Sequence, residues 1–277
     1  VTFIYGRKKY FIIYIMNLLK LVIIIILLIF FLFFIKSVDK RFKIIEEGFD
    51  GKNKSDDNRI PKIIIQTWKN TDIPEKYKED VASIKKMNPD FTYMLFTDKD
   101  IEEFLKTKYP QYYQTYKKLP VFIQKIDFFR YVAIYHYGGF YFDLDISAMK
   151  PLRDLLDHQC IFPIDLHLTP ERCARKRFKP FCDKNEKIMI GQYAFGAKKK
   201  NSFVKKLIDR INDNIDKYIR DEKTDPSLNY VYQTTGPDFV TNMYLENEGK
   251  EDVFILYNKE GQYFGDYARH NHYGTWK

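Results

Sequence analysis

Asp143 and Asp145 stand two residues apart at the end of an apolar run, residues 140–146. In a strand that period places both side chains on one face, where two carboxylates can share a single divalent cation. An oxygen-rich site completed by water and phosphate oxygens suits Mn²⁺ or Mg²⁺; such an ion would bridge a diphosphate and stabilise the charge that develops on a departing phosphate. A bare D-x-D is common in any sequence, so its surroundings decide. Burying a carboxylate unpaired is costly, so acids that close a buried strand must meet a cation, a cluster of donors or water. Upstream, Asp127 and Arg130 lie three apart and share one face of a helix, a spacing that on its own also describes a surface ion pair.

The elements that would carry these residues follow a βαβα rhythm, the mark of an α/β sheet with helical crossovers. The β-branched run Ile63-Ile64-Ile65 predicts a buried strand, with Gln66, Thr67 and Trp68 at its C-terminal end, where ligands of open α/β sheets gather. A helix is expected over 74–87, a strand over 91–96, and a second helix capped by Thr97 or Asp98 and running to 105. Pro120 suits a first helical turn, and Phe122, Ile126, Phe129, Ala133 and Tyr137 recur at helical spacing up to Gly138-Gly139. The acidic strand 140–146 comes next. Residues 165–187 are charged and irregular and predict a loop over or beside the site. Beyond it the pattern gives a strand over 188–197, an amphipathic helix over 202–220, a helix over 238–245 opened by Thr234-Thr235-Gly236-Pro237, and a strand over 253–257.

An apolar share of 45% with 17% aromatic residues in 277 residues supports a packed domain and excludes disorder of the whole chain. The net charge of +9 suits an enzyme that binds a diphosphate as well as one that contacts an anionic surface, and does not discriminate between them. The cysteines Cys160, Cys173 and Cys182 match no zinc-binding spacing; one disulfide in an oxidising lumen and three free thiols are both compatible with them. Residues 11–35 are interrupted only by Asn17 and Lys20 and are long enough to span a bilayer as an anchor. A short tail, 1–10, precedes this run and a polar stalk, 36–59, follows it, so the catalytic domain is expected over 60–277. Basic residues flank the apolar run on both sides and leave its orientation open.

Read together, Asp127-Phe-Phe-Arg130-Tyr131, Gly138-Gly139 and Tyr141-Phe-Asp143-Leu-Asp145 resemble the core of the glycosyltransferases with a DXD-containing sugar-binding region, family 32. Ile60 to Trp68 is similar to that family's opening I-P-K-I-I-H-Q-T-W, with Ile65 in place of His. Thr235-Gly236-Pro237 matches its T-G-P loop, and His270 to Trp276 resembles its closing H-x-x-x-G-S-W, with Thr275 in place of Ser. Gln192 stands where the family often has Asn. The resemblance implies an α/β GT-A fold and a metal-dependent retaining transfer of a hexose, mannose favoured, to a glycan or glycolipid. The donor would be GDP-mannose or a UDP-hexose with Mn²⁺ or Mg²⁺ as cofactor. No nucleic acid is expected as a partner. The implied cellular setting is a single-pass, type II membrane protein with its catalytic domain in the ER or Golgi lumen.

By the same resemblance, Gln66, Thr67 and Trp68 lie near the nucleoside, and Tyr131, Gly139 and Tyr141 belong to the donor site. Asp127 and Arg130 address the sugar and diphosphate. Asp143, Asp145 and His270 hold the metal, and Trp276 closes over the phosphates. Two other readings fit parts of the pattern. One is a membrane-tethered, inactive glycan-binding protein of the same fold. The other is a haloacid-dehalogenase-type phosphatase, since residues 142–147 loosely match its D-x-D loop; that family places the loop near the start of its domain, whereas here more than eighty residues of domain precede it.

Overall fold

The computed structural model describes residues 16–30, 58–224, 228–247, 252–260 and 263–274, and the chain divides into two units, Val1–Asp56 and Asp57–Lys277. In the first unit the described residues form helix α1 (residues 16–30), exposed along its whole length. No helix among the described residues is long and apolar enough to cross a membrane. The rest of the expected 11–35 anchor, the 1–10 tail and all of the stalk but Asn58 and Arg59 lie outside the described residues.

The second unit begins to make contacts at Asn58, two residues before the expected start. The Asn58 carbonyl accepts from Gln159, Arg59 pairs with Asp157, and the Ile60 N–H donates to the Leu156 carbonyl at 2.8 Å. Strand β1 (Ile63–Trp68) leads to helix α2 (Glu75–Met87), strand β2 (Thr92–Thr97) and helix α3 (Asp98–Lys108). Helices α4 (Pro110–Lys118) and α5 (Phe122–Tyr137) follow, and then β3 (Gly139–Phe142). β1 pairs in parallel with β2 on one side and β3 on the other, which places the C-terminal ends of all three at one edge of the sheet. This is the expected crossover pattern. Its inner strands are buried on both faces: Ile63, Ile64, Ile65, Phe140, Tyr141 and Phe142 are each at most 1% exposed.

Gly139 begins β3 at φ +92°, and a Cβ there would sit 2.6 Å from the Ile63 carbonyl oxygen, so only glycine permits β3 to approach β1 this closely. After β3 the structure departs from the expected strand. Pairing stops at Phe142, Asp143 to Asp145 form a turn, and β4 (Ile146–Ala148) joins a separate three-stranded antiparallel sheet with β9 (Tyr263–Phe264) and β10 (Ala268–His270). The two acids therefore sit on the bridge between two sheets, not on one face of a strand.

The remaining strands extend the main sheet in the order β2-β1-β3-β7-β5-β6, where β5 is Cys160–His167, β6 is Ile188–Ile190 and β7 is Ala194–Ala197. β8 (Phe254–Leu256) pairs in parallel with β5. The stretch read as one strand over 188–197 is thus two. β5 reaches into the stretch expected as a loop and contains Pro163, a residue that argues against an interior strand. Pro163 is tolerated because the strand changes partners around it: Cys160 and Ile161 pair with β7, and Ile164 onward with β6. The helix expected over 202–220 is also two, α8 (Ser202–Asp213) and α9 (Ile215–Thr224), interrupted where the Asn214 side chain caps the Arg210 carbonyl at 2.8 Å.

Between β5 and β6 the short helices α6 (Pro170–Cys173) and α7 (Lys179–Cys182) are tied by a Cys173–Cys182 disulfide, and Cys160 is a buried free thiol. The loop is short, so loop-closure entropy assigns the bridge about 2.5 kcal/mol of stability. Denaturant unfolding of the full chain with and without reductant should show a loss of that size. Cysteine-to-serine substitution at position 173 should reproduce it and abolish the reductant effect. Helices α10 (Leu228–Thr234) and α11 (Pro237–Leu245) complete the unit, with Gly236 at the α11 N-cap.

Candidate active site

Helix α5 turns Asp127 and Arg130 inward, and both are at most 2% exposed. This is no surface ion pair. The Arg130 guanidinium lies 3.1 Å from Asp127 Oδ1 and 3.2 Å from Asp143 Oδ1, donates to the Gln192 carbonyl at 2.9 Å, and sits over the Tyr141 ring with its central carbon 4.5 Å from the centroid. Asp127 accepts from Thr235 Oγ1 at 2.7 Å and from Gln192 Nε2 at 3.2 Å. Burial pushes its carboxyl up to about 6, against the pull of Arg130. One guanidinium thus bridges the helix to the acidic turn, and with its counter-charges removed it would be a lone buried cation.

The turn itself is held by main-chain and side-chain contacts from three directions. Tyr141 Oη donates to Asp143 Oδ1 at 3.0 Å and lies 3.1 Å from Thr67 Oγ1. Gln66 Nε2 donates to the Asp143 carbonyl at 3.1 Å, with its own oxygen accepting from Tyr93. The Asp143 N–H donates to the Tyr193 carbonyl at 2.8 Å. Asp145 accepts the Tyr273 N–H at 3.0 Å on Oδ2, and its carbonyl accepts the Asn271 N–H at 2.8 Å. Strand β10 places His270 opposite Ile146, so its ring reaches the turn with Nε2 at 3.4 Å from Asp145 Oδ1. The ring stacks on Tyr193 with centroids 4.4 Å apart.

Asp143, Asp145 and His270 each offer a ligating atom, and these atoms all lie within 4.8 Å of one another. Burial holds the Asp143 carboxyl above its ordinary range, with Arg130 opposing. At Asp145 burial acts in the same sense but is outweighed by the His270 contact and the Tyr273 N–H, which keep it below. His270 Nδ1 is buried and, among the described residues, has no hydrogen-bond partner. Two carboxylates and an imidazole whose second nitrogen is unsatisfied form a donor set that fits a divalent cation such as Mn²⁺, with coordination positions left for phosphate oxygens and water.

Two cavities meet at this turn, and both are lined by Arg130, Asp143, Asp145 and His270. The first, about 330 Å³, extends over Thr67, Trp68, Tyr77 and Tyr141. Trp68 is partly exposed beside it, edge-on to Tyr77 at 5.3 Å, and its Nε1 has no hydrogen-bond partner among the described residues. The second, about 280 Å³, extends over Asp127, Asp165, Arg177, Gln192 and Tyr232.

The structure therefore brings Thr67, Trp68, Asp127, Arg130, Tyr141, Asp143, Asp145 and His270 to one place. Gln66, Tyr131 and Gly139, expected at the donor, line neither cavity. Gln66 holds the turn, Tyr131 donates to the Thr235 carbonyl at 2.7 Å, and Gly139 packs β3 on β1. Trp276 lies outside the described residues. Gln192 and Thr235 contact Asp127 from motif positions, whereas the stacking of Tyr193 on His270 and the Asn271 N–H to the Asp145 carbonyl have no signature in the sequence.

Residues 74–162 match the family model described as glycosyltransferase sugar-binding region containing DXD motif. Over 99 residues the chain is 42% identical to inositol phosphoceramide mannosyltransferase 3 of Schizosaccharomyces pombe, covering 36% of this chain and 28% of that protein. It is 42% identical over 97 residues to mannosyl phosphorylinositol ceramide synthase SUR1 of Saccharomyces cerevisiae, covering 35% and 25% of the two chains. An initiation-specific alpha-1,6-mannosyltransferase of Candida albicans is 31% identical over 106 residues, covering 36% and 28%. The matched segments thus span between a quarter and a third of these relatives' length. The family-model match over residues 74–162 contains α2 to β4 and the whole Asp127-to-Asp145 string, a context that sets aside the phosphatase reading. Residues 74–162 of the chain thus carry a segment that matches the glycosyltransferase sugar-binding region containing DXD motif.

Proposed function

We propose that the chain is a metal-dependent, retaining glycosyltransferase of GT-A architecture that moves a hexose, mannose first among the candidates, from a nucleotide-sugar to a hydroxyl of a glycan or glycolipid. The observation that carries this is the convergence of Asp143, Asp145 and His270 at the meeting point of two cavities. A divalent cation held by those residues would neutralise the diphosphate of the donor. Trp68 and Thr67 would receive the nucleoside in the first cavity, while Arg130 and Asp127 address the diphosphate and sugar where the second begins. In the transfer the bond from the sugar's anomeric carbon to phosphate oxygen breaks, a bond to the acceptor oxygen forms on the same face, and the acceptor proton leaves with the nucleoside diphosphate. The chain's part is positioning, charge neutralisation and exclusion of water.

The test is a panel of GDP- and UDP-sugars incubated with the full chain and Mn²⁺, with nucleoside diphosphate release and product anomeric configuration as readouts. Metal-dependent release with retained configuration is expected; an inverted product, or release indifferent to chelation, would defeat the reading. The exposed apolar residues of α1, continuous in sequence with the rest of the 11–35 run, support a membrane anchor for this enzyme.

The closing segment should matter to metal affinity through residues that do not touch the ion. Asn271 Nδ2 donates to Asp80 Oδ1 at 3.0 Å and lies 2.7 Å from Ser147 Oγ, while its N–H fixes the Asp145 carbonyl. Asp80 is 5% exposed. The pair pins the strand end that delivers His270. Asn271→Ala is expected to weaken Mn²⁺ affinity about 10–100-fold, the usual cost of losing support behind a ligand. Mn²⁺ titration of release activity checks this, and an unchanged midpoint would refute it.

A further inference from the structure

One wall of the second cavity has a chemistry that neither the cation nor the diphosphate requires. Asp165, on β5, lines it together with Arg177, Tyr232, Val231 and Leu166. Arg177 lies between the disulfide-tied helices α6 and α7. Its Nε and Nη2 donate to both oxygens of the buried Asp238 carboxylate at 2.6–3.1 Å, and its plane lies 3.9 Å from the centroid of Tyr232. The Arg177 charge is therefore already matched by Asp238, and Arg172 is turned to the His167 carbonyl at 2.7 Å. Asp165 is in the opposite state. Among the described residues its carboxylate has no hydrogen-bond partner; the residue is half-buried in the cavity wall, where burial lifts the carboxyl above its ordinary range against the pull of the Arg177, His270 and Arg172 charges. A carboxylate that ends a cavity in this condition offers acceptor oxygens to O–H groups and repels a second anion.

We propose that this wall is the acceptor subsite and that it takes a neutral ring carrying adjacent hydroxyls, with Asp165 accepting from one of them while Val231 and Leu166 meet the ring's C–H face. The inference rests on the transferase reading above and adds to it the place and the charge class of the acceptor. Position supports it: Arg130, Asp143, Asp145 and His270, which also line the first cavity, mark the donor end, whereas Asp165, Leu166, Arg177 and Tyr232 line the second cavity and not the first. The paired state of Arg177 argues against a phosphate at this wall.

The experiment uses the full chain with Mn²⁺ and whichever nucleotide-sugar it hydrolyses, and follows transfer to water and transfer to added probes in parallel. The probes are a simple alkyl hexoside, myo-inositol, and the phosphate monoester of each. For the wild type, the neutral probes are expected to surpass their phosphorylated forms by at least about tenfold in kcat/KM, roughly 1.4 kcal/mol. Asp165→Asn is expected to lower probe transfer at least about tenfold more than it lowers hydrolysis, mainly through the KM of the probe, and to narrow the gap between neutral and phosphorylated probes. Phosphorylated probes that serve the wild type equally well would overturn the proposal even if the variant does not fold. Equal losses of hydrolysis and transfer in a folded variant would also overturn it, by placing Asp165 with the donor. A wild type with no metal-dependent hydrolysis would instead remove the transferase reading on which it stands.

Discussion

Asp145→Asn is expected to lower metal-dependent nucleotide-sugar hydrolysis by about 10²–10³-fold while changing stability by less than about 1 kcal/mol. The two effects separate because the turn is held mostly by contacts that an amide preserves. The Asn271 N–H reaches the residue's main-chain oxygen, and the Tyr273 N–H at 3.0 Å can donate to an amide oxygen as to a carboxylate. What the substitution removes is a negative ligand from a set whose atoms lie within 4.8 Å of one another. The loss should therefore fall on catalysis with the fold intact, read by nucleoside diphosphate release beside a denaturant melt. A variant with full activity would show that the carboxylate is not a ligand.

Arg130→Met should behave in the opposite way and cost stability first. Arg130 is the shared counter-charge of Asp127 and Asp143, at 3.1 and 3.2 Å, and its side chain is 3% exposed. Removing one partner of a buried ionic group leaves the others uncompensated, at about 3–5 kcal/mol. Asp127 suffers most, because its carboxyl is already raised to about 6 by burial with the guanidinium in place. Adding Asp127→Asn to Arg130→Met should recover part of the loss, since it removes the stranded charge; a double variant that is additive would contradict the coupling. Chemical denaturation of the wild type, both single variants and the double variant reads the cycle.

The residues of this site were legible in the sequence to different degrees, for physical reasons. The α5 segment declared itself through a helical repeat that ends in two glycines, and the parallel strands through β-branched runs, so the frame that carries Asp127, Arg130 and Asp143 followed from local pattern. The D-x-D turn did not. A two-residue spacing puts side chains on one face of a strand, but here the chain leaves one sheet after Phe142 and enters another at Ile146, and only tertiary pairing with β10 reveals the change. β5 was hidden by Pro163 and by the charges that follow it, and the α8 to α9 break by apolar periodicity that continues past Asn214. Contacts such as Gln192 and Thr235 to Asp127 span 65 and 108 residues and have no local signature. His270 was reached only through the closing motif; its neighbour His272, with the ring 3.7 Å away, lines the second cavity but stands outside the ligating group.

On the proposed function, the turn between β3 and β4 holds one divalent ion on which a nucleoside diphosphate then sits. Titrating the full chain with Mn²⁺ and following the free-ion electron paramagnetic resonance signal, with and without GDP or UDP, tests it most directly. A single site is expected, one that tightens when a nucleoside diphosphate is present and disappears in Asp145→Asn. Nucleotide binding that is unaffected by chelation, with Mn²⁺ uptake identical in wild type and variant, would contradict it.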